Sequence, residues 1–485
     1  MKVWLSALFL PLLLLAKGPR PAAPPDDVLP ILPAGHNVLV ILADDLGIDA
    51  LERYLGDPIV PGDATVPVML TPAIDEIMDK GIRFTNAWST PLCSPTRATI
   101  QTGRFGFRTG IGWVIENLGQ TGYSLPDTEI TLPQLVAEHT PSWLSYTSAA
   151  FGKWHLEEVG GSPCAPVDAH SYDLFDGSPR AVAPASTLCN WQETICNPGL
   201  ITQTSTEYMP ERIVDAAIDW IAGVPSGTNW LCYLAPQSPY ELPHRPPDDL
   251  QSQIPGDDTC GACESGVRVC YEAALQALDT KIGELLDTLG PNWWTKATVI
   301  FVGDNGTPAG ASFFPMGKQK GTLFEGGMHV PFVIAGRAVH PDRFGDESSE
   351  LVTTTDIYRT AGKLMGVNFP AGAGEDSVNL RPLLKKTPGT LARDIIYAER
   401  FNPNPTRVDL DEVAVRNDTY KLVWDCLADE GLRMHNLITD PDEPNSANLL
   451  LGGIPAPGTP ERMAYDELTA KICEVRGDCA CPQDG

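Results

Sequence analysis

PLCSPTRATIQTGR, residues 91–104, reads as a loop that delivers Cys93 to the mouth of a short helix. Ser94 suits the N-cap, Pro95 the first helical position and Gly103 the exit. Cys93 then stands at the positive end of that helix, where unpaired backbone N–H groups and the dipole favour an anion. Arg97 lies about one turn on. A lowered thiol pKa is the expectation.

Working outward, residues 37–43, NVLVILA, form a continuous apolar run rich in branched side chains, the pattern of a strand buried on both faces of a parallel sheet. Asp44 and Asp45 follow at once. Ligands of open α/β sheets bind beyond the carboxyl ends of strands, so this pair is a candidate hard-cation site, with a solvated turn before Leu46-Gly47 as the alternative. Residues 298–302, TVIFV, repeat the pattern and run into Gly303-Asp304-Asn305-Gly306. Residues 71–80, 211–222 and 271–289 carry apolar side chains at helical spacing, and 84–87, 145–151 and 230–235 read as strands. The last but one ends in Gly152-Lys153-Trp154-His155-Leu156, where strand alternation puts Lys153 and His155 on one face.

The signature Cys93, Pro95, Thr96, Arg97 with Thr102-Gly103-Arg104 resembles that of the sulfatase family. The resemblance implies that Cys93 is oxidised after synthesis to formylglycine by a formylglycine-generating enzyme, and that the hydrated aldehyde is the nucleophile. It extends over about 37–450. GKWHL at 152–156 is similar to a sulfatase string whose Lys and His contact the hydrate and the sulfate oxygens. GKQKGTLFEGGMHVPFV at 317–333 is similar to the segment carrying the sulfate-binding lysine, which falls on Lys320, with Lys318 beside it on the same extended face and His329 in place of the usual Arg. Asp44, Asp45, Asp304 and Asn305 together make an oxygen-only, acid-rich set suited to Ca²⁺, with Mg²⁺ the alternative. Asn305-Gly306-Thr307 is also a glycosylation sequon, but a glycan there would block a cleft. The family's leaving-group His is absent from APQSPYELPH, 235–244. Tyr240 takes its approximate place and His244 follows four residues on; both are candidate substrate contacts, and His244, ahead of Tyr240, is the expected acid for the departing alcohol.

The implied fold is alkaline-phosphatase-like α/β: a mixed, mostly parallel sheet flanked by helices, over 34–386, with a smaller C-terminal α+β domain over 387–485. The implied reaction is sulfate ester hydrolysis, with Lys153 and Lys320 holding the sulfate, Asp304 helping to deprotonate the attacking hydroxyl, and Arg97 and His155 orienting it. The substrate would be a sulfated small molecule or glycan. Phosphate or phosphonate ester hydrolysis on the same scaffold is the rival activity. A catalytically silent binder of sulfated glycans is the rival from another class, and Tyr240 is the feature that favours it.

Composition narrows the partners. A formal charge of −28 argues against nucleic acid, whose binders carry a basic patch, and repels anionic substrates at long range. A sulfate ester must be drawn in by local cations. Residues 1–16 have the layout of a secretory signal peptide, too short for a membrane span of ~20 residues, and 17–33 form a Pro-rich linker. An uncleaved anchor is the competing account of 1–16. After cleavage the expectation is a chain with no stable membrane insertion, secreted, periplasmic or in another oxidising compartment. Twelve cysteines suit that compartment. Cys189 and Cys196 are close enough for a local bridge, and Cys260-Gly-Ala-Cys263 could be half a zinc site, although no matching second pair follows.

Overall fold

A computed structural model describes residues 35–477 except 55–70, 116–122, 184–186, 198, 242–243, 255, 257–258, 262, 408–409 and 426–430. The expected signal peptide and linker, and Cys479 and Cys481, lie outside the described residues.

The strands are β1 (Asn37–Ala43), β2 (Gly81–Phe84), β3 (Ala87–Trp88), β4 (Tyr146–Lys153), β5 (Leu174–Ser178), β6 (Trp191–Cys196), β7 (Leu200–Ser205), β8 (Asn229–Ala235), β9 (Ala297–Gly303), β10 (Phe332–Gly336), β11 (Asp346–Ser348), β12 (Val352–Thr353), β13 (Ile396–Asn402), β14 (Leu410–Arg416), β15 (Tyr420–Asp425) and β16 (Arg433–Asn436). Ten of them form one sheet in the order β11-β2-β10-β9-β1-β8-β4-β5-β6-β7. Its centre, β9-β1-β8-β4-β5, is parallel throughout, and antiparallel partners flank it on both sides. This is the mixed, mostly parallel sheet of the alkaline-phosphatase-like fold.

Pleating explains why β1 lies at the centre. Leu39, Ile41 and Ala43 enter one core and Val38, Val40 and Leu42 the other. The first core takes its second layer from helices Pro72–Asp79, Met209–Gly223 and Val267–Leu289, the other from Cys93–Thr102, Leu132–His139 and Asp356–Leu364. A strand covered on both faces must be apolar along its length, and β1 and β9 are. Helix Pro72–Asp79 starts where its Ala73 and Ile74 amides donate to Asp279 of the long helix, satisfying donors that a helix start leaves open. The strand expected over 84–87 is instead two strands, β2 and β3. The chain bends between them, where the Thr85 amide and Asn86 side chain bond the carbonyls of Ser348 and Ser349.

The C-terminal sheet is antiparallel, in the order β13-β14-β15-β16. One face packs on helix Pro460–Arg476 through Tyr465, Leu468 and Ile472, and the other sets Ile396, Ala398, Ala414 and Val423 against Trp88, Leu323, Met328 and Leu351. A buried charged cluster crosses this seam. The Glu325 carboxylate accepts from Trp88 Nε1 (3.2 Å), Arg416 (3.2 Å) and Lys421 (3.1 Å), and Lys421 also pairs with Glu443 at 2.9 Å. Burial would raise the Glu325 pKa, but Lys421 and Arg416 outweigh it and hold the group well below the usual carboxylate range. His329 belongs to this cluster, with Nδ1 3.3 Å from Glu325.

The cysteine expectations need correction. Cys196 bonds Cys164, Cys189 bonds Cys260, and Cys263 bonds Cys270. Cys189 and Cys196 cannot meet, because the chain between them is the extended strand β6, which at about 3.3 Å per residue carries its ends far beyond the ~6 Å Cα separation of a disulfide. With Cys260 and Cys263 in separate disulfides, the zinc half-site is excluded. Among the described residues no helix is long and apolar enough to cross a membrane.

Candidate active site

The candidate residues converge at the carboxyl edge of the central strands. Asp44 and Asp45 follow β1, Asp304 and Asn305 follow β9, Lys153 ends β4, and Tyr240 lies in the turn after β8. β1 and β9 pair in register, Ala43 opposite Gly303, so an acidic pair and an Asp-Asn pair distant in sequence become neighbours. The Asp45 amide donates to Asp304 Oδ1 at 2.8 Å and fixes the junction. Gly306 permits it: a Cβ there would sit 1.9 Å from the Gly326 carbonyl oxygen.

Cys93 opens helix Cys93–Thr102, with Leu92 extended at the cap position. Ser94 is therefore not the N-cap; its hydroxyl accepts from the Ile115 amide at 3.0 Å. Gly103 does close the helix in the left-handed region, and a Cβ there would meet Tyr358 at 2.6 Å. Cys93 Sγ lies 3.3 Å from Asn305 Oδ1, 3.5 Å from Asp44 Oδ1 and 3.9 Å from Asp45 Oδ1. The lowered thiol pKa is overturned. Burial and the Asp304 carboxylate push it well above its ordinary value, outweighing Lys153 and Lys320.

Arg97 and Lys153 neutralise this acidic floor. Arg97 reaches Asp304 at 2.9 Å and Asp44 at 3.5 Å, and Lys153 Nζ donates to both Asp44 oxygens at 3.0 and 2.7 Å. Burial alone would raise Asp44, but Lys153 and Arg97 win and hold it far below the usual range. Asp304 goes the other way, pushed up to about 7 by burial and by Asp44 despite Arg97. Lys320 Nζ lies 2.8 Å from Asp45 and 2.7 Å from Glu241, and Asp45 in particular keeps it charged despite burial. The Lys320 loop is tied to the nucleophile loop by the Gly321 amide on the Pro91 carbonyl, at 2.9 Å.

Three expectations about placement are revised. Lys318 does not face the site with Lys320; its Nζ donates to the Asp442 and Glu443 carbonyls, the latter at 2.6 Å, because it belongs to the seam with the C-terminal sheet. His155 lines the same cleft as Lys153, but not through strand alternation: β4 ends at Lys153 and His155 has φ +62°. Burial, then Lys153 and Arg97, hold its imidazole well below its ordinary pKa, so it is neutral at neutral pH. His244 is buried with Nε2 2.7 Å from the Tyr208 hydroxyl, whereas Tyr240 lines the cleft with Lys153 Nζ 5.4 Å from its ring centre. Burial raises the Tyr240 phenol above its ordinary value, so it stays protonated.

The cleft holds about 370 Å³ and is lined by Cys93, Lys153, His155, Tyr240 and Lys320, together with Val114, Ile115, Arg180, Ala181, Ala183 and Glu241. The last six were not found from the sequence. Isolated residues in loops carry no periodicity; Glu241 alone had a signal, its position next to Tyr240.

The carboxylates of Asp44, Asp45 and Asp304 and the Cys93 sulfur place ligand atoms within 4.8 Å of one another, all buried. Asp45 Oδ2 has no protein hydrogen-bond partner among the described residues. A buried carboxylate oxygen with no donor suits a cation, and carboxylate and amide oxygens suit a hard one.

Known proteins resemble this chain in both sequence and fold. The sulfatase family profile matches residues 36–367, more than half of the chain. Arylsulfatase A of Bos taurus is 28% identical over 442 residues, covering 86% of this chain and 78% of its own length. Among solved structures, Ps i-CgsB in complex with k-i-k-neocarrahexaose superposes with a TM-score of 0.71 at 21% identity, over 93% of this chain and 94% of that one. BT4656 in complex with its substrate D-glucosamine-2-N,6-O-disulfate superposes with a TM-score of 0.67 at 17% identity, over 93% and 100%. The chain belongs to the sulfatase family and is a hydrolase of sulfate esters.

Proposed function

We propose that this sulfatase is exported, that Cys93 is converted to formylglycine, and that the modified residue works beside a Ca²⁺ or Mg²⁺ ion held by Asp44, Asp45, Asp304 and Asn305. The observation that carries it is the Cys93 sulfur within 3.3–3.9 Å of three of those oxygen donors, in a cleft that also presents Lys153 and Lys320. Sulfur is a poor partner for a hard cation, and conversion to formylglycine puts oxygen in its place. The hydrated aldehyde supplies one hydroxyl to attack sulfur and a second whose proton loss expels inorganic sulfate. The bound cation supplies charge for the sulfate oxygens.

The remaining work falls to the chain. Lys153 and Lys320 hold the sulfate and offset charge on its oxygens. Asp304 takes the proton of the attacking hydroxyl, and Arg97, 2.9 Å away, keeps that carboxylate in place. His155, neutral in the wall, orients the nucleophile by hydrogen bonding. The test is mass spectrometry of the peptide spanning residues 83–104 from protein made with a formylglycine-generating enzyme. The lighter aldehyde or its hydrate is expected; full activity with an intact thiol would refute the proposal. Faster turnover of a phosphate or phosphonate than of the matching aryl sulfate would move the chain to the rival activity.

On this reading Tyr240 donates to the departing alkoxide, supported by its position in the cleft wall and by the engagement of His244 with Tyr208. Tyr240→Phe is expected to slow esters of poorly acidic sugar alcohols by about 10²-fold, the lower end of general-acid contributions. Nitrophenyl sulfate, whose leaving group needs little help, should slow far less. His244→Ala should show no such selectivity; the opposite pattern in kcat would return the role to His244.

A further inference from the structure

Arg180 stands in the cleft wall, and no described carboxylate pairs with it. The chain that carries it leaves β5 alongside the segment that leaves β4. The Trp154 amide donates to the Ser178 carbonyl and the His155 amide to the Pro179 carbonyl, both at 3.0 Å. Arg180 therefore comes next to the residues that present Lys153 and His155. Two residues on, Val182 is clamped in both directions by the Gln237 side chain, at 2.9 and 2.7 Å, so the loop is pinned from the Tyr240 side as well. One terminal nitrogen of Arg180 donates to the Glu158 carbonyl at 3.0 Å, while its Nε is buried with no partner. Among the described residues no carboxylate pairs with it. In a chain with 62 acidic residues against 34 basic ones, such a guanidinium is not there to balance local charge.

Glu241, which lines the same cleft, is half exposed and pairs with Lys320, so a second anion beside it would meet a carboxylate. Val114, Ile115 and Ala181 add apolar lining suited to the C–H face of a sugar ring.

We propose that Arg180 receives a second oxyanion of the substrate, a carboxylate or another sulfate, carried by the same sugar as the ester that is cleaved or by its neighbour. The preferred substrates are then sulfated sugars with two acidic groups. Planar bidentate recognition of an oxyanion is what a guanidinium does better than an ammonium, and the partner that Arg180 lacks in the protein is supplied by the substrate. This rests on the sulfate-binding site set out above.

The experiment compares kcat/KM of the matured enzyme for nitrophenyl sulfate, a monosulfated hexosamine, the corresponding disulfated hexosamine and a sulfated uronic acid. Wild type is expected to prefer at least one diacidic sugar over the monosulfated one, and which of the two it prefers identifies the oxyanion. Arg180→Ala should lower that preference about 10–100-fold, mainly through KM, with Arg180→Lys keeping part of it, because charge-assisted hydrogen bonds are lost without a change at the reacting sulfur. The wild-type preference should also shrink as salt is added. Equal preference for mono- and diacidic sugars in wild type would overturn the proposal. So would an equal loss on all substrates in Arg180→Ala, which would mean that Arg180 only braces the Glu158 carbonyl. Failure of wild type on nitrophenyl sulfate itself would instead overturn the site assignment on which the proposal depends.

Discussion

Cys93→Ala is expected to lower turnover of every sulfate ester on the order of 10⁴-fold or more, the scale on which hydrolases fail when their nucleophile is removed. The substitution takes away one sulfur atom and leaves its surroundings in place. Arg97 still bridges Asp304 and Asp44, Lys153 still covers Asp44, and Leu92 still leads into the helix. Fold and metal binding should therefore survive, which separates a chemical loss from a structural one. The measurement is kcat/KM together with metal content in the same preparation. A variant that retained a tenth of the activity would show that the reaction runs without a group derived from this residue.

Asp44→Ala should remove activity by a different route, and lose the metal with it. Asp44 is fully buried and serves two purposes, as a candidate metal ligand and as the partner of Lys153 at 2.7 Å and Arg97 at 3.5 Å. Alanine leaves two buried cations facing a depleted acidic floor, and breaking a buried pair by removing one partner costs about 3–5 kcal/mol. The expected outcome is a chain without stoichiometric Ca²⁺ or Mg²⁺, with turnover near background and lower resistance to denaturant. Asp44→Asn keeps the shape and should restore part of the stability while leaving metal and activity low. Elemental analysis finding full metal occupancy in the alanine variant would remove Asp44 from the ligand set.

The parts of this architecture that were legible from sequence are those that repeat or sit at strand ends. β1 and β9 are apolar because both their faces are covered, and that demand writes itself into NVLVILA and ATVIFVG. The polar pairs that follow them, Asp44-Asp45 and Asp304-Asn305, were legible for the same reason: the carboxyl end of a buried strand is where such a pair has little other use. What failed were inferences from nearness in sequence. Cys189 and Cys196 are seven residues apart but held apart by an extended strand, Lys318 and Lys320 are two apart but serve different neighbours, and His244, four residues after Tyr240, is buried against Tyr208. The Cys93 thiol was misjudged because a helix end was weighed without the burial and the carboxylates that only the fold assembles. Arg180 left no trace, since a lone arginine after a strand is indistinguishable from a solvated one.

The buried cluster around Glu325 also sets a schedule for the growing chain. Glu325 lies five residues beyond Lys320, yet Lys421, one of its two principal partners, is made 96 residues later. Ribosomes add about 5–20 residues per second, so roughly 5–20 s pass in which this carboxylate has no lysine to meet. An unpaired carboxylate is held in water during that interval, because burying it alone is far too costly. During that time the Lys320 loop lacks the Lys421 and Arg416 partners that favour its docked position against the Pro91 loop. The Cys93 thiol is 2% exposed once these parts have docked, so the modification proposed above is best served before Lys421 and Arg416 reach Glu325.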